Sequence, residues 1–266
     1  MSNGGDDLSW RVERTCHRAW PSLAEEVIGD WVLRFAAGHS RRANSANPLC
    51  AVGGDIGALI DAAETRYAAE DLPTIFRIPT LLPPEIETQL NARGYVPEGE
   101  TITLYGGLHP MPMRRDPDVV IDPHPTDIWL AAMSGLQGHS QTRAQSYRAI
   151  LARLEIPAAF LMFRIDGAPA AMAYGALHDG LLFLESVITA EALRGRGHAS
   201  RLLGALMGWA IEQGAGGVCL QVEAGNNVAQ KLYRGMGLTR ELYRYRYGRG
   251  PAVTKGNSSG PHLVRA

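Results

Sequence analysis

Glycines and arginines precede an apolar run in the segment Leu193–Ala210, which has the sequence LRGRGHASRLLGALMGWA. Glycine allows a backbone to come close to a ligand, and the first turn of a helix presents N–H groups that have no partner within the helix. With Gly195 and Gly197 in the turn, the N–H groups from Gly195 to Ser200 can point into one concavity. The helix dipole favours a doubly charged group such as a pyrophosphate there. The segment therefore predicts an anion site at the start of a helix.

Side chains of the same segment limit the kind of anion site. Arg194 and Arg196 can add charge-assisted contacts to the anion, whereas His198 is interpreted as a helix-start residue and not as a catalyst. A Walker loop is excluded because GK[ST] is missing, and a dinucleotide fingerprint requires GxGxxG where this chain has GRGHAS. The alternative is a glycine-containing loop whose arginines lie in solvent.

A carboxylate interrupts an apolar run shortly before this segment. Glu185 lies between Leu184 and Val187 in LLFLESVI, which has the composition of a strand. A carboxylate in such a strand is costly unless it is exposed, paired or used in chemistry. Glu185 is therefore a candidate for proton transfer, and a position at the rim, satisfied by a nearby arginine, is the alternative.

The elements that carry these residues indicate a sheet covered by helices. Strand-like runs separated by the hairpin signals DG and HDG are followed by alternating helical and strand patterns. This order predicts an α/β fold of mixed α+β type. The predicted elements of this half are helices over TDIWLAAMSGL and QTRAQSYRAILARLE, strands over AAFLMFRI, PAAMAYGAL and LLFLESVI, a helix to about Gln213, the strand GVCLQVEA, the helix NVAQKLYRGMG and the strand RELYRYRYG.

A proline-rich connector at residues 106–127 separates this half from a first half of similar size. Its helical patterns again alternate with strand patterns. The predicted elements of the first half are a helix over SLAEEVIGDW, extended segments over WVLRFAAG and SRRANSANPL, a helix over DIGALIDAAETRYAAEDL, a strand over TIFRI, a helix over PPEIETQLNARGY and a strand over ETITLYGGL.

The second half resembles the GNAT superfamily of acyl-CoA-dependent N-acetyltransferases, roughly over residues 125–247. The glycine motif of that family, Q/R-x-x-G-x-G/A, is matched at Arg194, Gly197 and Ala199. A second family pattern, N-x-x-A-x-x-L-Y-x-x-x-G-F, is matched by Asn226, Ala229, Leu232, Tyr233 and Gly237, with Leu238 in place of the phenylalanine.

The resemblance implies a cleft for coenzyme A between splayed strands, the fourth of the family, here FLESVIT, and the fifth, here CLQVEA. The pantetheine arm would bond to the strand backbone as an added strand, and Asn226 would bond the pantetheine amide region. No metal is implied. The implied cofactor-binding residues are Val187, Ile188, Thr189, Arg194, Gly195, Arg196, Gly197, His198, Ala199, Ser200 and Asn226.

The resemblance also implies that an amine attacks the thioester of acetyl-CoA directly, so no covalent nucleophile is needed. Tyr233 would give a proton to the departing thiolate, and Glu185 would take one from the ammonium, directly or through water. The alternative for Tyr233 is a packing role. Many relatives carry a catalytic glutamate on the fifth strand where this chain has Gln221, which cannot be a base, so Glu223 is the second candidate.

The first half aligns with the second when Gly94 is set on Gly237. Leu90 then stands where Tyr233 does, and the first half contains no R-x-x-G-x-G/A loop. We expect two tandem GNAT-like domains, each with a mixed, mostly antiparallel twisted sheet, of which only the second is catalytic. The predicted bounds are 8–108 for the degenerate domain, 109–123 for a linker, 124–248 for the catalytic domain and 249–266 for a flexible tail.

The segment His39–Asn47, HSRRANSAN, is an unusually polar part of the first half. One interpretation is a surface hairpin with solvated arginines. The other is that Arg41, Arg42 and Asn44 face the acceptor cleft or the other half of the chain.

Composition excludes several classes of protein. The 266 residues are 45% hydrophobic and 20% charged, as in globular proteins, and a net charge of -1 gives no field for nucleic acid or an anionic membrane. Cys16, Cys50 and Cys219 are widely spaced without a CxxC, which indicates neither a disulfide framework nor a zinc site. The N-terminus has no basic region and no apolar run of signal length, so we expect a cytoplasmic protein.

These inferences predict an enzyme that transfers the acetyl group of acetyl-CoA to a primary amine of a small-molecule or amino-acid-like acceptor. A non-catalytic acyl-CoA-binding sensor is the alternative. No nucleic-acid or membrane partner is expected, and the charge balance gives no argument for a histone-like substrate. The chain is expected to be a monomer or a homodimer.

Overall fold

The computed structural model describes residues 4–51, 53–109 and 116–251, in which helices cover both faces of one sheet. The helices are α1 (Gly4–Ala19), α2 (Gly57–Ala69), α3 (Pro84–Ala92), α4 (Asp127–Leu136), α5 (Gln141–Leu151), α6 (His198–Glu212) and α7 (Asn227–Gly235). The strands are β1 (Ala24–Ile28), β2 (Trp31–Phe35), β3 (Ala46–Pro48), β4 (Ile75–Pro79), β5 (Val96–Gly107), β6 (Val119–Asp122), β7 (Ala158–Ile165), β8 (Ala168–His178), β9 (Leu181–Thr189), β10 (Gly217–Glu223) and β11 (Arg240–Arg249).

The strands form a single mixed sheet in the order β1-β2-β3-β4-β11-β5-β10-β9-β8-β7-β6. The pairs β3/β4 and β9/β10 are parallel, and the other neighbouring strands run antiparallel. The mixed α/β class that the alternating pattern predicts is therefore confirmed.

The last strand of each half lies between the two halves. β5, from the first half, pairs with β10 from Gly217 opposite Gly107 to Glu223 opposite Thr101. β11, from the second half, pairs with β4, with Tyr245 opposite Pro79. β5 and β11 also pair with each other. Each half thus completes the sheet of the other, and the domain bounds at 108 and 124 stay a prediction.

Three assignments differ from the sequence pattern. The segment predicted as a helix over SLAEEVIGDW forms the edge strand β1, because its backbone pairs with β2. Residues 4–19, which the pattern leaves unassigned, form α1. The predicted linker contains β6, which pairs with β7 from Val119 opposite Phe163 to Asp122 opposite Phe160. The predicted tail begins where β11 ends, and its residues 252–266 lie outside the described part of the chain.

The side chains of β9 alternate between the two faces of the sheet, and a different helix packs against each face. Leu182 and Leu184 are buried in the cluster that contains the apolar side of α6, whereas Leu181 and Phe183 are buried in the cluster that contains α1. Successive side chains of a strand point to opposite faces, so one strand serves both layers. Each fully buried leucine or phenylalanine contributes about 1.5–3 kcal/mol, which fixes β9 between α6 and α1.

Candidate functional site

A cleft opens where β9 and β10 separate. Their parallel pairing covers only Leu181–Phe183 and Gly217–Cys219, although both strands continue beyond it. β9 also contains a bulge, because Tyr174 of β8 lies opposite Glu185 while Met172 lies opposite Ile188. Ser186 accommodates the extra residue with a φ of 52°. The separation leaves one backbone edge of β9 without a neighbouring strand.

The cleft has a volume of about 630 Å³ and contains most of the residues that the resemblance implies for coenzyme A. Arg196 is not among its lining residues, whereas the neighbouring Arg194 is. The roles of these residues stay predictions. The predicted residues that line the cleft are Val187, Ile188, Thr189, Arg194, Gly195, Gly197, His198, Ala199, Ser200 and Asn226.

The glycine segment forms the start of α6 at one wall of this cleft. Gly197 is the N-cap residue with a φ of 80°, and no side chain caps the helix. An added Cβ at Gly197 would meet nothing within 4 Å, so its backbone conformation, not crowding, favours glycine here. The N–H groups of the first turn have no partner within α6 and border the cleft. The ring of His198, at the same wall, stacks on Phe163 with 5.1 Å between centroids.

Tyr233 lines the same cleft from α7, whose N-cap is Asn226. The Asn226 Oδ1 accepts a hydrogen bond from the Ala229 N–H at 3.0 Å, which leaves its Nδ2 group as a donor. Tyr233 is 8% exposed. Its burial, and then the negative charge of Glu185, raise the pKa of Tyr233 to about 12. The hydroxyl is therefore protonated at neutral pH and can act as a proton donor.

Glu185 contacts an arginine from the other half of the chain. The Nη2 of Arg42 donates to Oε2 of Glu185, and the N–H of Ser186 donates to Oε1 at 3.0 Å. Arg42 also donates to Oε1 of Gln221 at 3.1 Å. Although burial lowers it, the charge of Glu185 raises the pKa of Arg42 above its ordinary value. Of the two interpretations of HSRRANSAN, the structure favours the one in which Arg42 faces the other half.

Asn44 and Arg41 hold the same segment in place. The buried Asn44 accepts from the N–H groups of Ala36 and Gly38 through Oδ1, at 2.8 and 3.0 Å. Its Nδ2 donates to two carbonyl groups of the loop. Arg41 pairs with Glu98 at 3.2 Å. The polar residues of this segment therefore order a loop that reaches across to the second half.

A second cleft, which we call the acceptor cleft, is lined by Glu185 and by residues from both halves of the chain. It has a volume of about 480 Å³. The sequence did not identify Arg143, Tyr245 and Tyr247 as part of it, because no local pattern distinguishes them from other residues of their helix and strand. Its lining residues are Gly38, Ser40, Arg41, Arg42, Thr101, Arg143, Glu185, Gln221, Glu223, Tyr245 and Tyr247.

Metal binding and membrane insertion are two other functions that the described residues can be checked for. No group of three or more histidine, cysteine or acidic side chains within 4–51, 53–109 and 116–251 is arranged to hold a metal ion. Within the same ranges, no helix has both the length and the apolar character required to span a bilayer.

Comparison with known proteins gives the family. Residues 10–248 match the family model described as "Probable histone acetyltransferase Rv0428c C-terminal". An uncharacterized N-acetyltransferase of Bacillus subtilis, YobR, is 26% identical over 88% of this chain and 95% of its own. The aminoglycoside N(6')-acetyltransferase type 1 of Serratia marcescens is 30% identical over 48% of this chain and 96% of its own.

A solved structure shows the same fold in a tandem arrangement. It is the tandem GNAT protein from the clavulanic acid biosynthesis pathway, which superposes with a TM-score of 0.62 at 12% identity and covers 84% of this chain and 78% of its own. The GNAT resemblance and the tandem fold are thereby confirmed. The chain is an acyltransferase of the GNAT superfamily and belongs to the family of the Rv0428c C-terminal acetyltransferase.

Proposed function

We propose that this enzyme transfers the acetyl group of acetyl-CoA to a primary amine of a small-molecule or amino-acid-like acceptor, by direct attack in a ternary complex. The observation that carries the proposal is that Glu185 and Tyr233 line two different clefts and lie close enough for the charge of Glu185 to act on the Tyr233 hydroxyl. Tyr233 lines the cleft at the start of α6, and Glu185 lines the acceptor cleft between the halves. A donor and an acceptor can therefore bind at the same time.

The first cleft suits coenzyme A in charge and shape. The free N–H groups at the start of α6, together with Arg194, would bind the pyrophosphate. The open edge of β9 at Val187–Thr189 would bond the pantetheine arm as a strand does, and the free Nδ2 of Asn226 would donate to its amide carbonyl. Bound in this way, acetyl-CoA supplies an acyl carbon activated by a sulfur leaving group.

The two candidate catalytic residues would each move one proton, Glu185 at the attacking amine and Tyr233 at the departing sulfur. Glu185 would accept the proton of the acceptor ammonium, directly or through water, and the free amine would then form a bond to the acyl carbon as the bond to sulfur breaks. Tyr233 would donate its hydroxyl proton to the sulfur. Each oxygen of Glu185 already accepts one hydrogen bond, and each retains a lone pair for the proton. Glu223, in the same cleft, is the second candidate base.

The acceptor cleft favours a small molecule over a protein tail. Residues of both halves line it, and its volume is in the range of small-molecule sites. The Serratia marcescens relative is named for a small-molecule acceptor, whereas the family description names histone. A basic peptide therefore belongs in the test as a competing acceptor.

The proposal also assigns a different role to each half of the chain. The first half would contribute the wall that carries Arg41 and Arg42, and the second half would bind the acyl donor. The cysteines Cys16, Cys50 and Cys219 are unpaired, which suits a reducing cytoplasm. A monomer or a homodimer stays the prediction for the assembly.

Calorimetric titration with acetyl-CoA, followed by release of free thiol in the presence of amines, tests the proposal. We expect one binding site per chain and thiol release that depends on a small amine. Two sites would show that the first half also binds the donor. Binding without turnover on any amine would favour the sensor, and turnover confined to a basic peptide would overturn the small-molecule acceptor.

A further inference from the structure

We infer that the acceptor carries an anionic group in addition to its amine, and that Arg143 binds that group. The inference rests on the proposed function and narrows its acceptor to molecules with charges of both signs. It follows from the way in which the charged side chains of the acceptor cleft are paired.

Most of the charge in the acceptor cleft is neutralised within the protein. Five charged side chains line it: Arg41, Arg42, Arg143, Glu185 and Glu223. Arg42 pairs with Glu185, and Arg41 pairs with Glu98 at 3.2 Å. In the part of the chain that the structure describes, the side chains of Arg143 and Glu223 have no hydrogen bond or ion pair, and both are exposed. One free cation and one free anion therefore remain for a ligand.

The surroundings of Arg143 leave its charge uncompensated. His39 and His139 lie close enough for the charge of Arg143 to act on them. Burial, and then the Arg143 charge, lower the pKa of His39 to about 4, and the same two causes lower the pKa of His139. Both rings are neutral at neutral pH. A planar guanidinium with free donors binds a carboxylate or a phosphate with two parallel hydrogen bonds.

Glu223 connects the acceptor cleft with the cleft proposed for coenzyme A. Its carbonyl accepts from the N–H of Asn226 at 2.9 Å, and Asn226 lines the coenzyme A cleft. A cation attracted to Glu223 would therefore lie near the residues that we propose to bind the pantetheine arm. An acceptor with an ammonium at one end and an anion at the other satisfies both free charges, and its amine end is then the one presented for acetylation.

The test compares acceptors that differ only in the anionic group. The pairs are lysine with 1,5-diaminopentane, for a carboxylate, and phosphoethanolamine with ethanolamine, for a phosphate. Binding to the enzyme saturated with coenzyme A is measured by ligand-observed NMR, and kcat/KM is measured by thiol release. The pair in which the anionic member has the larger advantage shows whether Arg143 binds a carboxylate or a phosphate.

We expect the anionic member of at least one pair to bind and react about 10-fold better or more. Arg143→Ala should bring that ratio close to one by raising KM, and Arg143→Glu should invert it towards 1,5-diaminopentane. Arg148→Ala is the matched control, because Arg148 is on the same helix, pairs with Asp127 at 2.6 Å and does not line the cleft. It should leave the ratio unchanged.

Two kinds of failure are distinguishable. Equal binding and rates for both members of each pair, or a ratio that Arg143→Ala leaves intact, would overturn the role of Arg143 while acetyl transfer stands. Selective binding of the anionic members without any thiol release would support Arg143 and contradict the proposed reaction. Absence of binding by every member would overturn the inference.

Discussion

The guanidinium of Arg42 contacts the carboxylate of Glu185, and the two residues come from different halves of the chain. Both side chains are largely shielded from solvent, with exposed fractions of 16% and 14%. Arg42 stacks near the rings of Trp20 and Phe183, which fixes its approach to the second half. The first half therefore supplies a contact to the candidate base although it has no glycine motif of its own.

Removal of Arg42 should destabilise the protein more than removal of an exposed arginine. Arg42→Ala leaves the shielded Glu185 carboxylate without its cation, and we expect a loss of about 2–3 kcal/mol in the free energy of unfolding. The double variant Arg42→Ala/Glu185→Gln should recover part of that loss, because no uncompensated charge remains. Arg66→Ala, which breaks a pair with Glu26 that is much more exposed to solvent, should lower the free energy of unfolding less than Arg42→Ala does. Urea denaturation measures all of them, and equal losses for the two single variants would contradict the prediction.

Glu185→Gln should lower activity in a manner that depends on pH. If Glu185 removes the ammonium proton, the variant should lose about 100-fold in kcat near pH 7 and recover as the amine deprotonates in bulk solvent, above about pH 9. Glu223→Gln should instead raise KM for the acceptor. The measurement is the rate of thiol release from pH 6 to 10. A uniform loss in Glu185→Gln, combined with a pH-dependent loss in Glu223→Gln, would transfer the role of base to Glu223.

Tyr233→Phe should lower turnover by about 100-fold with little change in the affinity for acetyl-CoA, because the variant lacks only the acidic proton. The pKa of Tyr233 is raised to about 12, so the hydroxyl keeps its proton throughout the neutral and moderately alkaline range. The wild-type rate should accordingly show no decline due to Tyr233 below about pH 11. Steady-state kinetics and calorimetry on the same samples separate the two effects, and an unchanged rate would return Tyr233 to a packing role.

Gly197→Glu should abolish binding of coenzyme A while the protein stays folded. The substitution places a carboxylate where we expect the pyrophosphate, at the start of α6. Gly214→Glu is the matched control at the other end of the same helix, since its φ of 84° is close to the 80° of Gly197 and neither position has a neighbour within 4 Å of an added Cβ. Because each substitution places a Cβ on a backbone with a positive φ, both variants should lose about 1–2 kcal/mol in the free energy of unfolding. Calorimetry should detect binding in Gly214→Glu only, and retained affinity in Gly197→Glu would exclude the helix start as the phosphate site.

The sequence predicted those parts of the structure that depend on residues close to each other in the chain. The glycine turn before α6 and the helix NVAQKLYRGMG depend on residues within a few positions of each other, and the structure has α6 and α7 where the pattern predicts them. The apolar strands β7 to β10 are equally visible, because each is bounded by turn residues.

Contacts between distant segments were not predictable from one sequence. Arg42 and Glu185 are 143 residues apart, and no period or motif connects them. Likewise, the pairing of β5 with β10 and of β11 with β4 joins strands from different halves of the chain, and no local pattern predicts it. Alanine and glutamate favour a helix over Ala24–Ile28, yet pairing with β2 makes that segment a strand. Tertiary pairing outweighs local preference there.

Protonation of His39 should destabilise the enzyme in mild acid. Burial, followed by the charge of Arg143, lowers the pKa of His39 to about 4, against about 6.5 in an unfolded chain. The unfolded state then binds a proton that the folded state does not, so the contribution of His39 is complete above pH 6.5 and is lost as pH falls towards 4. The loss is at most about 3.5 kcal/mol, from about 1.4 kcal/mol for each unit of pKa.

His39→Gln should reduce this pH dependence, because an amide does not titrate. We expect the urea midpoint of the wild type to fall more steeply between pH 6.5 and 4 than that of the variant. Part of the slope should remain, since His17 and His139 also have a lowered pKa, mainly from burial. His124→Gln, at an exposed histidine, is the control and should retain the wild-type slope. Identical slopes for the wild type and His39→Gln would show that His39 does not contribute to the loss of stability in acid.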